Sequence, residues 1–129
     1  MIRGIIIGHG TFAQAMVNTA EKIVGKQPDI EVISNIGFSA EALCEKIGEV
    51  INNKKNQETI IFVDLPGGSC SMSCYSLLKN SSDLNIICGL NLPMLIEFFI
   101  LRERHSALEL VPILIKKGRD NIFKLEVRK

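Results

Sequence analysis

A chain of 129 residues is one domain of ordinary size, long enough to bury about two-thirds of the surface that its unfolded form exposes. Its 15 basic and 14 acidic residues leave a net charge of +1, which provides no global field to draw in nucleic acid or an acidic membrane. A hydrophobic share of 47% with no Trp and one Tyr describes an aliphatic core, and four scattered cysteines in a chain with that much core read as reduced thiols, not as disulfides.

The first apolar run, residues 3–8, is nearly continuous and reads as a strand buried on both faces at the centre of a parallel sheet. It reaches His9 too soon for a signal peptide or a membrane span, and no later run approaches ~18 apolar residues, so the expectation is a soluble, cytoplasmic protein. After Gly10 the spacing turns helical, with Ala13, Met16, Val17, Ala20, Ile23 and Val24 on one face. Thr11 and Gln14 are spaced as a capping box, and Gly25 is a natural stop. Residues 30–34 form a second strand after the Pro28-Asp29 turn. Ser39 caps a second helix that buries Ala40, Leu43, Ile47, Val50 and Ile51 and closes in the polar run 52–57.

Strand three covers residues 58–64 and ends in Pro66-Gly67-Gly68, beyond which a serine-rich third helix is predicted over 70–79. Cys70 and Cys74 share a face of that helix. With no second pair and no neighbouring His in the sequence, they read as small buried residues, and no metal is expected. Strand four spans residues 84–89. Pro93 suits the first turn of the next helix, whose predicted buried stripe is Leu92, Leu95, Ile96, Phe99 and Ile100. His105 reads as a solvated residue at a helix junction. Ser106 and Glu109 form a second capping box, opening a helix that turns Ala107, Leu110, Val111, Leu114 and Ile115 inward and carries Gly118 near its end. Pro112 either kinks that helix or delays its start. In residues 121–129, Phe123, Leu125 and Val127 alternate with Lys124, Glu126 and Arg128, the period of a half-buried edge strand.

The order βαβαβαβααβ predicts an α/β three-layer sandwich in one domain, residues 1–129, with a mainly parallel sheet between two helical layers. Ligands of open parallel sheets bind beyond the carboxyl ends of the strands, where strand order reverses. An order of 2-1-3-4 places the ends of strands one and three side by side at that point. Both end in a polar residue and glycines, so this order brings His9 to Asp64. A carboxylate that accepts one imidazole N–H fixes the tautomer and leaves the other nitrogen free to attack phosphorus. Backbone amides of Gly10, Gly67, Gly68 and Ser69, with the hydroxyls of Thr11 and Ser69, can cradle a phosphoryl group. A competing hydrolase reading makes Ser69 the nucleophile and His9 its base, but Gly68-Ser69-Cys70 lacks the Gly-x-Ser-x-Gly elbow.

Three motifs, Ile-Ile-Gly-His-Gly, Phe-Val-Asp-Leu-Pro-Gly-Gly-Ser and Cys-Gly-Leu-Asn-Leu-Pro-Met-Leu, occur at separations that resemble the IIA domain of the mannose-family bacterial sugar phosphotransferase system (PTS). The resemblance implies that His9 takes a phosphoryl group from the phosphocarrier HPr, with Asp64 as its partner and residues 67–69 in the phosphate cradle. It also implies transfer to a IIB protein that serves membrane IIC and IID components, with no cofactor. It further implies a homodimer in which the C-terminal strand, about residues 121–129, pairs antiparallel with the other subunit's sheet. The IIB acceptor is expected on a separate polypeptide. Cys70, Ser71 and Met72 stand where the family commonly shows Pro and, soon after, Asn, a change at the rim where partners approach. Two alternatives remain: a phosphodonor subunit for dihydroxyacetone kinase, and a non-catalytic module that signals through phosphorylation-dependent binding.

Overall fold

The computed structural model describes residues 1–80 and 84–127. Among the described residues nine elements follow in order: β1 (Arg3–Gly8), α1 (Phe12–Val24), β2 (Ile30–Ser34), α2 (Ala40–Asn53), β3 (Thr59–Val63), α3 (Ser69–Asn80), β4 (Asn85–Cys88), α4 (Leu92–Leu101) and α5 (Ala107–Asp120). The four strands make one parallel sheet in the order β2-β1-β3-β4, the predicted arrangement.

The alternation of strand side chains sorts the core into two halves. Ile6, Ile60 and Phe62 point to α1, α4 and α5, where Val17, Ala20, Leu95, Phe98, Leu110 and Leu114 meet them. Ile5, Ile7, Ile61 and Val63 point to α2 and α3, against Leu43, Ile47, Val50, Cys70 and Cys74. Every residue of β1 is buried, as a strand covered on both faces requires. Phe62 and Phe98 meet edge-to-face at 5.0 Å between ring centroids, a geometry that adds about 0.5–1.5 kcal/mol to the burial of the rings.

Several local expectations are corrected. Thr11 makes no side-chain cap, and Gln14 instead donates to Asn18 Oδ1 at 2.9 Å. The Ser39 cap and the Ser106–Glu109 capping box do form. Ile23 and Ile100, placed on buried faces by spacing, stand out in solvent, whereas Met94 and Phe98 fill the core. In α4 nearly every residue is apolar, so periodicity could not tell its faces apart. Pro112 lies within a continuous α5 that begins at Ala107.

Arg3 and Arg102 are fully buried despite their charge. Arg102 ties the C-terminus of α4 to the start of β1 and to the turn before β2: its guanidinium donates to the carbonyl oxygens of Ile2 and Pro28 and to Gln27 Oε1. Among the described residues, the predicted last strand does not join the sheet of its own chain. Residues 122–127 lie exposed without a ladder, and residues 128 and 129 of that expectation fall outside the described residues. Among the described residues, no helix is long and apolar enough to cross a membrane.

Candidate functional site

The register that pairs Ile7 with Val63 brings the next residues of β1 and β3 out at the same sheet edge. There Asp64 faces His9. One carboxylate oxygen, Oδ2, accepts the backbone N–H of His9 and lies 2.8 Å from its ring Nδ1, while Oδ1 accepts the N–H of Leu65 at 2.9 Å. The Asp64 side chain is 7% exposed and that of His9 36%, so the carboxylate is set behind the ring and the ring faces outward. Burial pushes the Asp64 carboxyl upward, but the bonds from the His9 N–H, the His9 ring and the Leu65 N–H together hold it below its ordinary value. A carboxylate in that state only accepts. Nδ1 therefore carries the ring proton, and the lone pair is on Nε2.

Nε2 points to the start of α3. The Ser69 hydroxyl is 3.2 Å away, positioned to donate to it. Gly68 backs the ring closely: a Cβ there would stand 2.8 Å from His9 Cε1 and 3.1 Å from Nε2. Gly67, with φ of +81°, makes the turn from β3 into α3 in a conformation that side chains resist. The first-turn N–H groups of α3, those of Ser69, Cys70 and Ser71, have no acceptor within the helix, the feature that lets helix N-termini take anions.

His9, Asp64, Gly68 and Ser69 are thus in direct contact, with Gly67 forming the turn beside them. Gly10 and Thr11 lie on the same edge, where Gly10 serves differently from expectation. The Gly10 N–H is committed to Asn35 Oδ1 at 2.9 Å, which removes it from the set of free donors, and the Thr11 side chain is exposed. Asn35 was missed in the sequence, as was Ser34. The Ser34 hydroxyl donates to the Gly10 carbonyl at 2.7 Å, and the Asn35 N–H donates to the Gly8 carbonyl at 3.2 Å. Together the end of β2 clamps the loop that holds His9. The signal was present: Ser34-Asn35 is a third polar strand end on the same edge, without the glycines that drew attention to the other two.

One further side chain converges on the pair. Cys70 Sγ, a ring nitrogen of His9 and a carboxylate oxygen of Asp64 all lie within 4.8 Å of one another. Burial pushes the Cys70 thiol up, and the neighbouring Asp64 charge adds to the shift.

A family model described as the PTS system fructose IIA component, EIIA-man, matches residues 4–114. The chain belongs to the mannose family of PTS IIA components. This IIA chain is 30% identical over 132 residues, 99% of its length, to the PTS system mannose-specific EIIAB component of Escherichia coli (strain K12), and it spans 41% of that protein. It is 30% identical over 111 residues to the PTS system fructose-specific EIIA component of Bacillus subtilis (strain 168), covering 84% of this chain and 75% of the relative. The crystal structure of the phosphotransferase system component EIIA from Streptococcus agalactiae matches the fold with a TM-score of 0.87 at 26% identity, over 96% of this chain and 97% of that one. The IIA fold and its family membership therefore agree with the resemblance read from three short motifs.

Proposed function

We propose that this IIA chain carries a phosphoryl group on His9, taking it from phosphohistidine on HPr and passing it to a IIB protein that serves membrane IIC and IID components in sugar uptake. One observation carries the reading: Asp64 Oδ2 holds Nδ1 at 2.8 Å, which leaves the Nε2 lone pair facing the N-terminus of α3. In the transfer, Nε2 attacks phosphorus, the phosphorus–nitrogen bond on HPr breaks, and its electron pair returns to the HPr imidazole. The Asp64 carboxylate offsets the positive charge that develops on the His9 ring. The α3 amides and the Ser69 hydroxyl are placed to receive the phosphoryl oxygens, which bring roughly two negative charges at neutral pH. Transfer to IIB reverses these roles, with His9 as leaving group. No cofactor takes part.

Phe12, Leu65 and Met72 stand exposed on the three segments that meet at His9, an apolar rim suited to protein partners. The same reading places the protein in the cytoplasm, where HPr acts, and makes it a homodimer. Ile122, Phe123, Leu125 and Val127 are exposed on an unpaired tail, and β4 is an edge strand with an open side. Pairing of the tail with a second copy's sheet covers both.

Incubation with enzyme I, HPr and phosphoenolpyruvate should add one acid-labile phosphate per chain. Uptake by His9→Ala would exclude His9 as acceptor. Transfer onward to a dihydroxyacetone kinase subunit in place of a IIB protein would redirect the pathway while preserving the chemistry.

A further inference from the structure

Spacing alone pairs Cys70 with Cys74 and leaves both without a histidine. The fold changes the company of Cys70 by bringing its Sγ to the His9 and Asp64 donors, with all three ligand atoms within 4.8 Å of one another. We propose that His9, Asp64 and Cys70 bind a zinc ion, and that zinc and the phosphoryl group exclude one another at His9. The metal site stands on the geometry of these donors. The exclusion rests on the reading of His9 as phosphoryl acceptor.

The donor set suits zinc in kind and in charge. Imidazole, carboxylate and thiolate are its usual ligands, and one carboxylate with one thiolate balances the dication. Zinc takes sulfur at about 2.3 Å and nitrogen or oxygen at about 2.0–2.2 Å, so tetrahedral neighbours stand about 3.3–3.6 Å apart. The three donors must therefore close by about 1 Å from their widest spacing to ligate. The fourth position is left for water, as in three-ligand zinc sites.

On binding, the Cys70 thiol loses its proton to solvent and the thiolate gives an electron pair to zinc. Asp64 binds as the carboxylate it already is. The ring stays neutral, with its single proton on the nitrogen that the metal does not take, so one proton is released per zinc. This accounts for the exclusion. If zinc holds Nε2, the attacking lone pair is spent. If it holds Nδ1, the ring proton sits on Nε2 and no lone pair is left there either.

The test uses the reduced, full-length protein and Co²⁺ as an optical probe for the site, with Zn²⁺ as competitor. Thiolate ligation to Co²⁺ gives a near-ultraviolet charge-transfer band that nitrogen and oxygen ligands do not produce. One Co²⁺ per chain should bind with this band, and one equivalent of Zn²⁺ should bleach it. Cys70→Ala should abolish the band, and His9→Ala should weaken Co²⁺ binding at least tenfold, with each fold checked by circular dichroism. Cys88→Ser, which removes the exposed thiol at the end of β4 outside the donor set, should keep it. Absence of a thiolate band in the unaltered protein, or its survival in Cys70→Ala, overturns the metal site. Phosphorylation from purified phospho-HPr should slow at least tenfold with one equivalent of Zn²⁺ in the unaltered protein and in Cys88→Ser. In Cys70→Ala the rate should equal that variant's own zinc-free rate. A protein that binds zinc through Cys70 yet accepts phosphoryl at an unchanged rate overturns the exclusion. One that binds zinc and takes no phosphoryl even without it overturns the acceptor reading and leaves the metal site standing.

Discussion

The chemistry depends on one oxygen. Asp64 Oδ2 takes both the backbone N–H and the ring Nδ1–H of His9, so a single side chain fixes where the loop runs and which nitrogen is free. Asp64→Asn keeps the shape and loses the charge. It should slow phosphoryl uptake about 10–100-fold, the usual cost of altering the carboxylate that orients a functional histidine, and lower stability by about 1–3 kcal/mol at neutral pH. The pH dependence has a definite sign. The folded carboxyl lies below its ordinary value of 3.8, so its contribution is complete above that value and is lost as pH falls through the folded one. Thermal melts of the two proteins should therefore differ at neutral pH and converge in acid.

Gly68→Ala tests the other side of the ring. Its Cβ would fall 2.8 Å from His9 Cε1, forcing the imidazole off its line, and a displacement near 1 Å should cost about 10²-fold in transfer rate. Steady-state phosphorylation rates check this, and a melt should show that the fold is kept. At this scale the sequence was legible where a polar residue and glycines interrupt a run of β-branched residues, as at His9 and Asp64. It was not legible where a polar residue acts through a backbone contact set by tertiary approach. Asn35 holding the Gly10 N–H is such a case, and so is the placing of Cys70 beside His9.

Among the elements, strand order followed from the position of the polar strand ends, and helix existence followed from apolar spacing. Helix faces were less legible. The run in α4, Leu92–Leu101, is so apolar that no period distinguishes its inside, and Met94 and Phe98 are buried because α5 and β3 lie against them. Asn91 shows how that packing is fixed. Its Oδ1 accepts the Met94 N–H at 3.1 Å as an N-cap, and its Nδ2 donates to the Gly118 carbonyl at 2.9 Å, joining α4 to α5. Asn91→Ala removes both and should destabilise by about 2 kcal/mol in urea melts, at the high end for a cap because a second bond goes with it. Nothing in the sequence marks Arg102 for burial. Its burial depends on the carbonyls of Ile2 and Pro28, which converge only in the fold.

At the scale of the molecule, β4 is an edge strand and the apolar tail is exposed among the described residues. Deletion of residues 122–129 should convert a dimer into a monomer, by light scattering, while leaving the parallel sheet and the His9–Asp64 contact in place. A truncated chain that stays dimeric would move the interface elsewhere. The central claim concerns a nitrogen atom, and ³¹P NMR of the protein phosphorylated through HPr addresses it directly. The account predicts a single phosphohistidine at His9 with phosphorus on Nε2, because Asp64 occupies the Nδ1 side. Phosphorus on Nδ1 of His9, or on any other residue, would contradict it.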